Sequence, residues 1–599
     1  MKTKRLILFL MSCVLVMGCS KSNNDDSDNP AVASEEAKQI ISEANLVSDA
    51  VSDIFHQAES AEEMSAHLDQ IEALEQVDKA WAEDDAVFAQ LKTGITMFWY
   101  YPPNDDEYAE ALRTRGTSEL DSLVNRMKET RAATSNKQAV LASKQKICII
   151  NQVSRDWNLD YVTSKLSEDA QTLRNDGYQV TEIPSEEFTP KFLRESLTDY
   201  NVVILTTHGV YIQNSPIKEN NGQHWIFTGV EMQSISKENF DDLCRGYAQI
   251  GILKEDRLHD IMPSDYKYLV VSEKWLDNNL GQFPSNSMMF ATVCQTLKGN
   301  DSFYNNVLKH KNLGCYLGFD ESVGCHFSIE KSLDMFMSLM VLGSTAQGAY
   351  NMLDADYRKG YGSVSGKNHQ TKIATLKYLQ RDDKTEVSIC DAMDLGLSVM
   401  WGTRNLGAQT PFEYGDFYAW GEIIPDTDDS GREYQYWTTK DHDAMEFLGY
   451  DIKGNPRYDA ATAELGNDWR LPTKEECEEL ISHCIPICVK SKEFYNMKEW
   501  VSGSKGGVLL AFSDAIKQKK GGYIYLPYYW NTGGGYWTSN EVPEGDRTEL
   551  WSEIPHFQAY SLLIRQPGET GTIDGYYLPR IGKDKRVRLS SIRPVYDPK

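Results

Sequence analysis

Basic residues are scarce in this 599-residue chain: 61 Lys and Arg stand against 88 Asp and Glu, a formal charge of −27. Nucleic-acid binding needs Lys and Arg clustered along the phosphates, so the deficit excludes nucleic acid as a partner class. No apolar run after residue 19 approaches the ~20 residues of a membrane-spanning helix. No two cysteines stand at the C-x-x-C spacing of structural zinc sites, and neither metal nor cofactor is expected. No long internal repeat is present, which leaves solenoids and propellers without support. What remains is ordinary globular material, 41% hydrophobic and 25% charged. At roughly 100–200 residues per domain, the length predicts about three to five domains.

The first residues give an address. Lys2, Lys4 and Arg5 precede the apolar run Leu6 to Met17, so residues 1–18 read as a secretory signal peptide. Leu15-Val16-Met17-Gly18-Cys19 resembles the lipobox of bacterial lipoproteins, which implies cleavage before Cys19 and lipid attachment to its sulfur. A plain signal peptide with a chance cysteine is the alternative. Residues 19–32 are polar and acidic, a flexible tether with no means of packing. A short acidic run behind the cysteine is similar to the surface-export signal of Bacteroidetes lipoproteins, though a solvated linker has the same composition. The expected location is the cell envelope, on the outer membrane and surface-exposed, with the lipid anchor as the membrane contact. Of eleven cysteines, Cys13 leaves with the leader and Cys19 is acylated. Nine remain, so at least one thiol is unpaired or bridges two chains.

Four stretches follow. Residues 33–140 combine a helical region with a hairpin. Ile40, Ala44, Val47, Val51, Ile54 and Phe55 recur at helical spacing, and the helical pattern continues to about residue 80. Ala86 to Leu91 and Ile95 to Tyr101 then flank the turn Lys92-Thr93-Gly94. A charged helix is expected near 117–133. Residues 145–352 alternate strands and helices, which predicts an α/β unit with a mostly parallel sheet and helices on both faces. Within it, 210–283 read as an insertion with strands of its own. Residues 353–389, with Gly360, Gly362 and Gly366, read as a linker. From 390 to 599, Trp, Tyr and Gly become dense and short strands dominate, the pattern of a mixed α+β domain.

Two strand ends carry chemistry. One run, Asn201 to Thr207, stops at His208-Gly209, and another, Ser287 to Val293, stops at Cys294-Gln295. Sites in open parallel sheets lie outside the carboxyl ends of the strands. There an imidazole and a thiol meet at one edge, and a nucleophilic cysteine needs such a neighbour to hold it as thiolate. Gly209 permits close backbone approach and supplies an N–H for an oxyanion. The alternative is a strand-end histidine bonded to a carbonyl and a cysteine acting as a small core hydrophobe.

Val202-Val203-Ile204-Leu205-Thr206-Thr207-His208-Gly209 and Met289-Phe290-Ala291-Thr292-Val293-Cys294-Gln295 resemble the two catalytic strands of caspase-like cysteine peptidases, the group of gingipains, clostripain, legumain and separase-related enzymes. Asn312 to Phe319 is similar to the strand that follows in the gingipain-like branch. The resemblance covers about 145–352. It implies His208 as general base and leaving-group acid, Cys294 as the acylated nucleophile, and the N–H groups of Gly209 and Cys294 as oxyanion donors. Protein or peptide would be the substrate. Several branches carry an Asp two residues before the nucleophile to bind a basic side chain, and Thr292 stands there in this chain. Val293 also replaces the small residue common before the cysteine. Asp156 and Asp320 are alternative specificity acids; otherwise they are ordinary loop carboxylates.

The C-terminal stretch carries five ordered motifs, Asp394 to Gly402 with Asn405 to Ala408, Glu413 to Glu422, Trp469 to Glu476, Gly535 to Ser539, and Ser591 to Val595. Together they resemble the Fibrobacter-type major paralogous domain of Bacteroidetes surface lipoproteins, itself related to C-type-lectin-like folds. The resemblance implies a compact aromatic core and no catalysis. Trp530-Asn531-Thr532 is only a fragment of a calcium-lectin pattern, so no calcium site is expected. Cys477, Cys484 and Cys488 are expected in core packing or in one disulfide. The whole reads as a multidomain envelope cysteine peptidase with a lectin-like accessory domain. One rival is a non-catalytic surface protein that binds glycan or protein through 390–599. Another is a zymogen whose N-terminal region or insertion blocks the cleft.

Overall fold

The computed structural model describes residues 35–101, 121, 145–155, 160–213, 215, 218, 221–232, 235–246, 248–253, 267–365, 370–383, 386–426, 451–489, 506–512, 523–528, 534–543, 546, 558–565, 578–586 and 588–598. The leader, Cys19, the tether, Asp156 and Trp530-Asn531-Thr532 therefore lie outside the described residues, as does the expected helix near 117–133 apart from residue 121. After the helix Glu35–Gln57 come β1 Val77–Glu83, β2 Ala86–Leu91 and β3 Thr96–Tyr100. Then β4 Lys146–Asn151 and β5 Gln179–Pro184 flank the helix Asp160–Asn175, and β6 Val202–Thr206 follows the helix Pro190–Glu195. β7 Gly209–Ile212, β8 Gln223–Glu231, β9 Ala248–Leu253 and β10 Lys267–Ser272 come next. β11 Met288–Ala291, β12 Cys315–Phe319, β13 Lys359–Ser365 and β14 Gln370–Gln380 complete the first two sheets.

Mixed α/β architecture is what these strands build. β5, β4, β6, β11 and β12 lie side by side in that order, all parallel. β14 and then β13 extend this sheet antiparallel beyond β12. Every residue of β6, β11 and β12 is buried, which is why each reads as an unbroken apolar run. Alternate residues feed opposite cores. Ile147, Ile149, Val202 and Ile204 join one, with Val162, Leu166, Ala170 and Leu173 of the helix Asp160–Asn175. Cys148, Ile150, Val203 and Leu205 join the other, with Trp275 and Leu276 of the helix Glu273–Asn279.

The second sheet revises the expected domain layout. Its order is β1-β2-β3-β9-β10-β8-β7. β3 pairs parallel with β9, Met97 opposite Ile250 and Tyr100 opposite Leu253. The N-terminal hairpin and the insertion after Gly209 are thus one sheet, not two separate parts. The helical pattern expected as far as residue 80 ends earlier, since β1 begins at Val77. The stretch 353–389, expected as a linker, holds β13 and β14, with Cys315 opposite Gln380 through Phe319 opposite Leu376. Gly360 is there for packing: a Cβ would meet the Phe327 ring at 2.2 Å.

In the C-terminal region, β15 Ala392–Met393, β16 Met400–Gly402, β17 Trp469–Arg470 and a final strand Val595–Tyr596 form one small sheet. Motifs far apart in sequence therefore meet: Trp401 lies opposite Val595, and so does Arg470. Trp420 Nε1 donates to the Thr538 carbonyl and Trp537 Nε1 to the Tyr418 carbonyl, each at 2.8 Å. These aromatics are core and present no sugar-stacking face. The Glu476 amide donates to Thr473 Oγ1 at 3.2 Å while Glu476 Oε2 accepts from the Thr473 amide at 2.8 Å, a reciprocal cap on the helix Lys474–His483. The region docks on the first sheet's helices, the Thr345 amide donating to the Gln409 carbonyl at 2.8 Å. Cys477 is a buried free thiol, which removes it from the expected disulfide; the side chains of Cys484 and Cys488 lie outside the described residues.

Candidate functional site

Strand register brings the two sequence-predicted residues together. β6 and β11 are adjacent and parallel, with Leu205 opposite Ala291. His208 and Cys294 each lie three residues beyond that pair, so they follow the same carboxyl edge at the same offset. The pairing continues past the strands, since the Thr292 amide donates to the Leu205 carbonyl at 2.9 Å. Gly209 confirms the closeness: a Cβ there would sit 2.5 Å from Val293 Cγ1 and 3.1 Å from the Cys294 carbonyl oxygen. His208 is 7% exposed and Cys294 5%.

The thiol is wrapped by the loop after β12. The Val323 amide donates to Cys294 Sγ at 3.4 Å, and Sγ in turn lies 3.6 Å from the Val323 carbonyl oxygen. The donated N–H suits a thiolate and the carbonyl contact a neutral thiol, so Val323 can meet the sulfur in either form. Burial pushes Cys315 up to about 12, and it raises Cys148 and Cys477 as well, so these remain protonated packing groups.

Gln295, next to the thiol, takes a left-handed backbone with φ +61, uncommon without a glycine. Its side chain accounts for this. Oε1 accepts from the Tyr211 amide at 2.9 Å, Nε2 donates to Ser322 Oγ at 3.1 Å, and the Gln295 amide donates to the Glu321 carbonyl at 3.2 Å. Ser322 Oγ donates onward to Asp85 Oδ2 in the turn between β1 and β2. In the same turn Asp84 pairs with Lys298 at 2.8 Å and with Lys372 at 3.1 Å. Burial alone would raise the Asp84 carboxyl, but the two lysines outweigh it and hold the group below its usual range. Tyr100, at the end of β3, packs its ring 5.7 Å from the His208 ring. The N-terminal sheet thus forms one wall of the site.

The remaining candidates occupy framework positions. Thr292 Oγ1 donates to Thr206 Oγ1 at 2.9 Å, a buried clip between β11 and β6. Asp320 Oδ1 accepts from the Thr375 amide at 2.7 Å, and Oδ2 lies 3.8 Å from Lys377 Nζ, so this carboxylate ties β12 to β14. Thr292 is buried, whereas the Asp320 carboxylate is partly exposed. Sequence reasoning missed Tyr100, Asp85, Ser322 and Val323. Only Gln295 stood in a recognised motif. Among the described residues no cluster of His, Cys, Asp or Glu could hold a metal ion.

Gly209 carries a direct prediction. Gly209→Ala forces its methyl onto Val293 and onto backbone, and overpacking of this kind costs about 1–3 kcal/mol. Val293→Ala in the same chain removes the closer of the two contacts. Urea unfolding of the full chain is expected to show a loss in the single variant and most of it recovered in the pair. No recovery would place the strain at the Cys294 carbonyl instead.

No protein-family model matches this chain, and no curated protein matches it either.

Proposed function

We propose that this protein is a lipid-anchored cell-envelope cysteine endopeptidase. In this reading the parallel sheet is a caspase-like domain and residues 390–599 are a C-type-lectin-like accessory domain of the Fibrobacter-type paralogous family. The observation that carries the reading is the equal three-residue overhang of His208 and Cys294 beyond Leu205 and Ala291 on adjacent parallel strands. His208 takes the proton of the Cys294 thiol, and the thiolate attacks the carbonyl carbon of the scissile peptide bond. The carbonyl oxygen becomes an oxyanion held by the backbone N–H groups of Gly209 and Cys294. Collapse of this intermediate breaks the C–N bond, and the imidazolium gives its proton to the leaving amine. Water, deprotonated by His208, then cleaves the thioester and returns the thiol.

A thiol-directed peptide probe, such as a library of peptidyl chloromethyl ketones, tests the reading. One label per chain is expected, mapped to Cys294 and absent from Cys294→Ala. Absence of label from the wild type, or equal labelling of the variant, overturns it. The burial of Cys294 and His208 favours a second reading, a non-catalytic surface binder built on the same scaffold. That reading requires the full-length chain to retain glycan or protein ligands on an array while remaining unlabelled.

A further inference from the structure

We propose that Asp85, in the turn between β1 and β2, is a positioning residue for Cys294, acting through a buried chain of hydrogen bonds that runs by way of Ser322 to Gln295. The inference rests on the reading of Cys294 as nucleophile. The ends of the chain fix the direction of each bond in it. The Tyr211 amide can only donate, so it takes Gln295 Oε1 at 2.9 Å and turns Nε2 toward Ser322 Oγ at 3.1 Å. Nε2 is itself a donor, so the serine hydroxyl accepts from it and gives its own proton to Asp85 Oδ2. The carboxylate ends the chain as a pure acceptor. Asp85, Ser322 and Gln295 are all buried, where polar groups need such partners.

A buried, bonded carboxylate by itself assigns nothing. Asp459 is buried too and accepts from the amides of Gly454, Thr462 and Leu471, partners no more than 12 residues away around one short helix. Asp85 is set apart by where its chain leads. It crosses from the N-terminal sheet to the parallel sheet and reaches the thiol by two routes. Gln295 is joined covalently to Cys294 and holds its left-handed φ of +61. Ser322 precedes Val323, whose amide donates to Cys294 Sγ at 3.4 Å. Beyond Cys294 the main chain runs beside the end of β12 and the loop after it. The Gln295 amide donates to the Glu321 carbonyl at 3.2 Å and the Leu297 amide to the Phe319 carbonyl at 2.9 Å. The neighbouring Asp84 grips the same two segments, since its partner Lys298 also pairs with Glu321 at 3.2 Å. Apolar side chains would meet a packing role at this junction. A donor-to-acceptor chain adds direction, and so holds the bend at Cys294 and the wrap at Val323 in one arrangement.

The test uses the full-length chain and a peptidyl chloromethyl ketone that labels wild-type Cys294. The S–C bond forms as chloride leaves, and the thiol proton passes to solvent. Labelling is followed below the melting temperature of every variant, and the maximal rate is separated from the half-saturating concentration. Asp85→Ala and Ser322→Ala are each expected to lower the maximal rate about tenfold and to move the half-saturating concentration less than about twofold, because small displacements of a reacting group cost this much. The double variant is expected to match the single ones, since all three break the same chain. Asp85→Asn keeps an acceptor for Ser322 and is expected to recover most of the rate. Ser322→Ala removes one oxygen, so its comparison with wild type stands whether or not Asp85→Ala folds. Iodoacetamide needs no bound geometry, and peptide mapping is expected to find it reacting with Cys294 at a similar rate in all of these chains. A faster iodoacetamide reaction in the variants would show a buried site merely opened, and overturns the positioning role. So do an unchanged maximal rate in Ser322→Ala, losses that add in the double variant, or no recovery in Asp85→Asn; the nucleophile reading survives each of these. A wild type that no chloromethyl ketone labels at Cys294 overturns the nucleophile reading itself, and the role of Asp85 with it.

Discussion

On the proposed peptidase reading, alanine at Cys294 or at His208 is expected to lower peptide hydrolysis on the order of 10^4-fold or more, and the double variant is expected to be no worse than either alone. The reason is that the two side chains act as one unit. Without the thiol there is no group to accept the acyl chain. Without the imidazole the thiol has no base to deprotonate it and the amine has no acid to leave with. The residual rate in all three variants then comes from whatever binding and backbone oxyanion contacts survive. A comparison of kcat and kcat/KM for one labelled peptide decides the matter. Losses that add in the double variant would mean two independent groups, and a Cys294→Ala enzyme as fast as wild type would remove the thiol from the reaction. Cys315 offers no replacement. Cys315 is held at about 12 by burial, so it carries almost no thiolate at neutral pH.

The pair was legible in the sequence because parallel sheets leave a strong local signal. Strands buried on both faces appear as short unbroken apolar runs, and two such runs end in His208 and Cys294. What the runs do not reveal is register. That the two ends share one offset follows only from the pairing of Leu205 with Ala291. The wall opposite the pair was not legible at all. β3 meets β9 across about 150 residues of chain, Met97 against Ile250, and a parallel contact at such a distance marks neither strand. Tyr100 therefore reads as one more aromatic in Phe98-Trp99-Tyr100-Tyr101. The supposed linker misled for a different reason. Gly360 suggested flexibility, whereas the Phe327 ring leaves no room for a Cβ. The alternation in β14, with Ala374 and Leu376 buried between exposed or half-buried neighbours, was the better signal.

Arg593→Ala is expected to destabilise the C-terminal region by about 3–5 kcal/mol, the range for breaking a buried network around a charge. Arg593 is fully buried, and its guanidinium joins three separate parts of the chain. Nε donates to Asn405 Oδ1 at 2.7 Å, Nη1 to the Gly402 carbonyl at 3.0 Å, and Nη2 to the Tyr525 carbonyl at 2.6 Å. Burial pulls its pKa down to about 10, Tyr536 opposing, so it stays charged at neutral pH. Removal strands three buried acceptors, each costing about 1–3 kcal/mol if left unmet, and opens a cavity. Arg593→Lys is expected to recover little. One ammonium on a flexible stem cannot replace a planar fork that meets three acceptors in different directions. Thermal unfolding of the full chain, followed by limited proteolysis to locate the opened region, reads both effects. Among the described residues, the core on one face of the parallel sheet draws nothing from beyond residue 390, whereas the core on the other face continues into Trp401, Phe412, Tyr525 and Val595; Cys294 labelling is expected to survive where cleavage is confined to residues beyond 390. Loss of labelling in Arg593→Ala at a temperature where the variant is still folded would instead show that the accessory region holds the cysteine site in place.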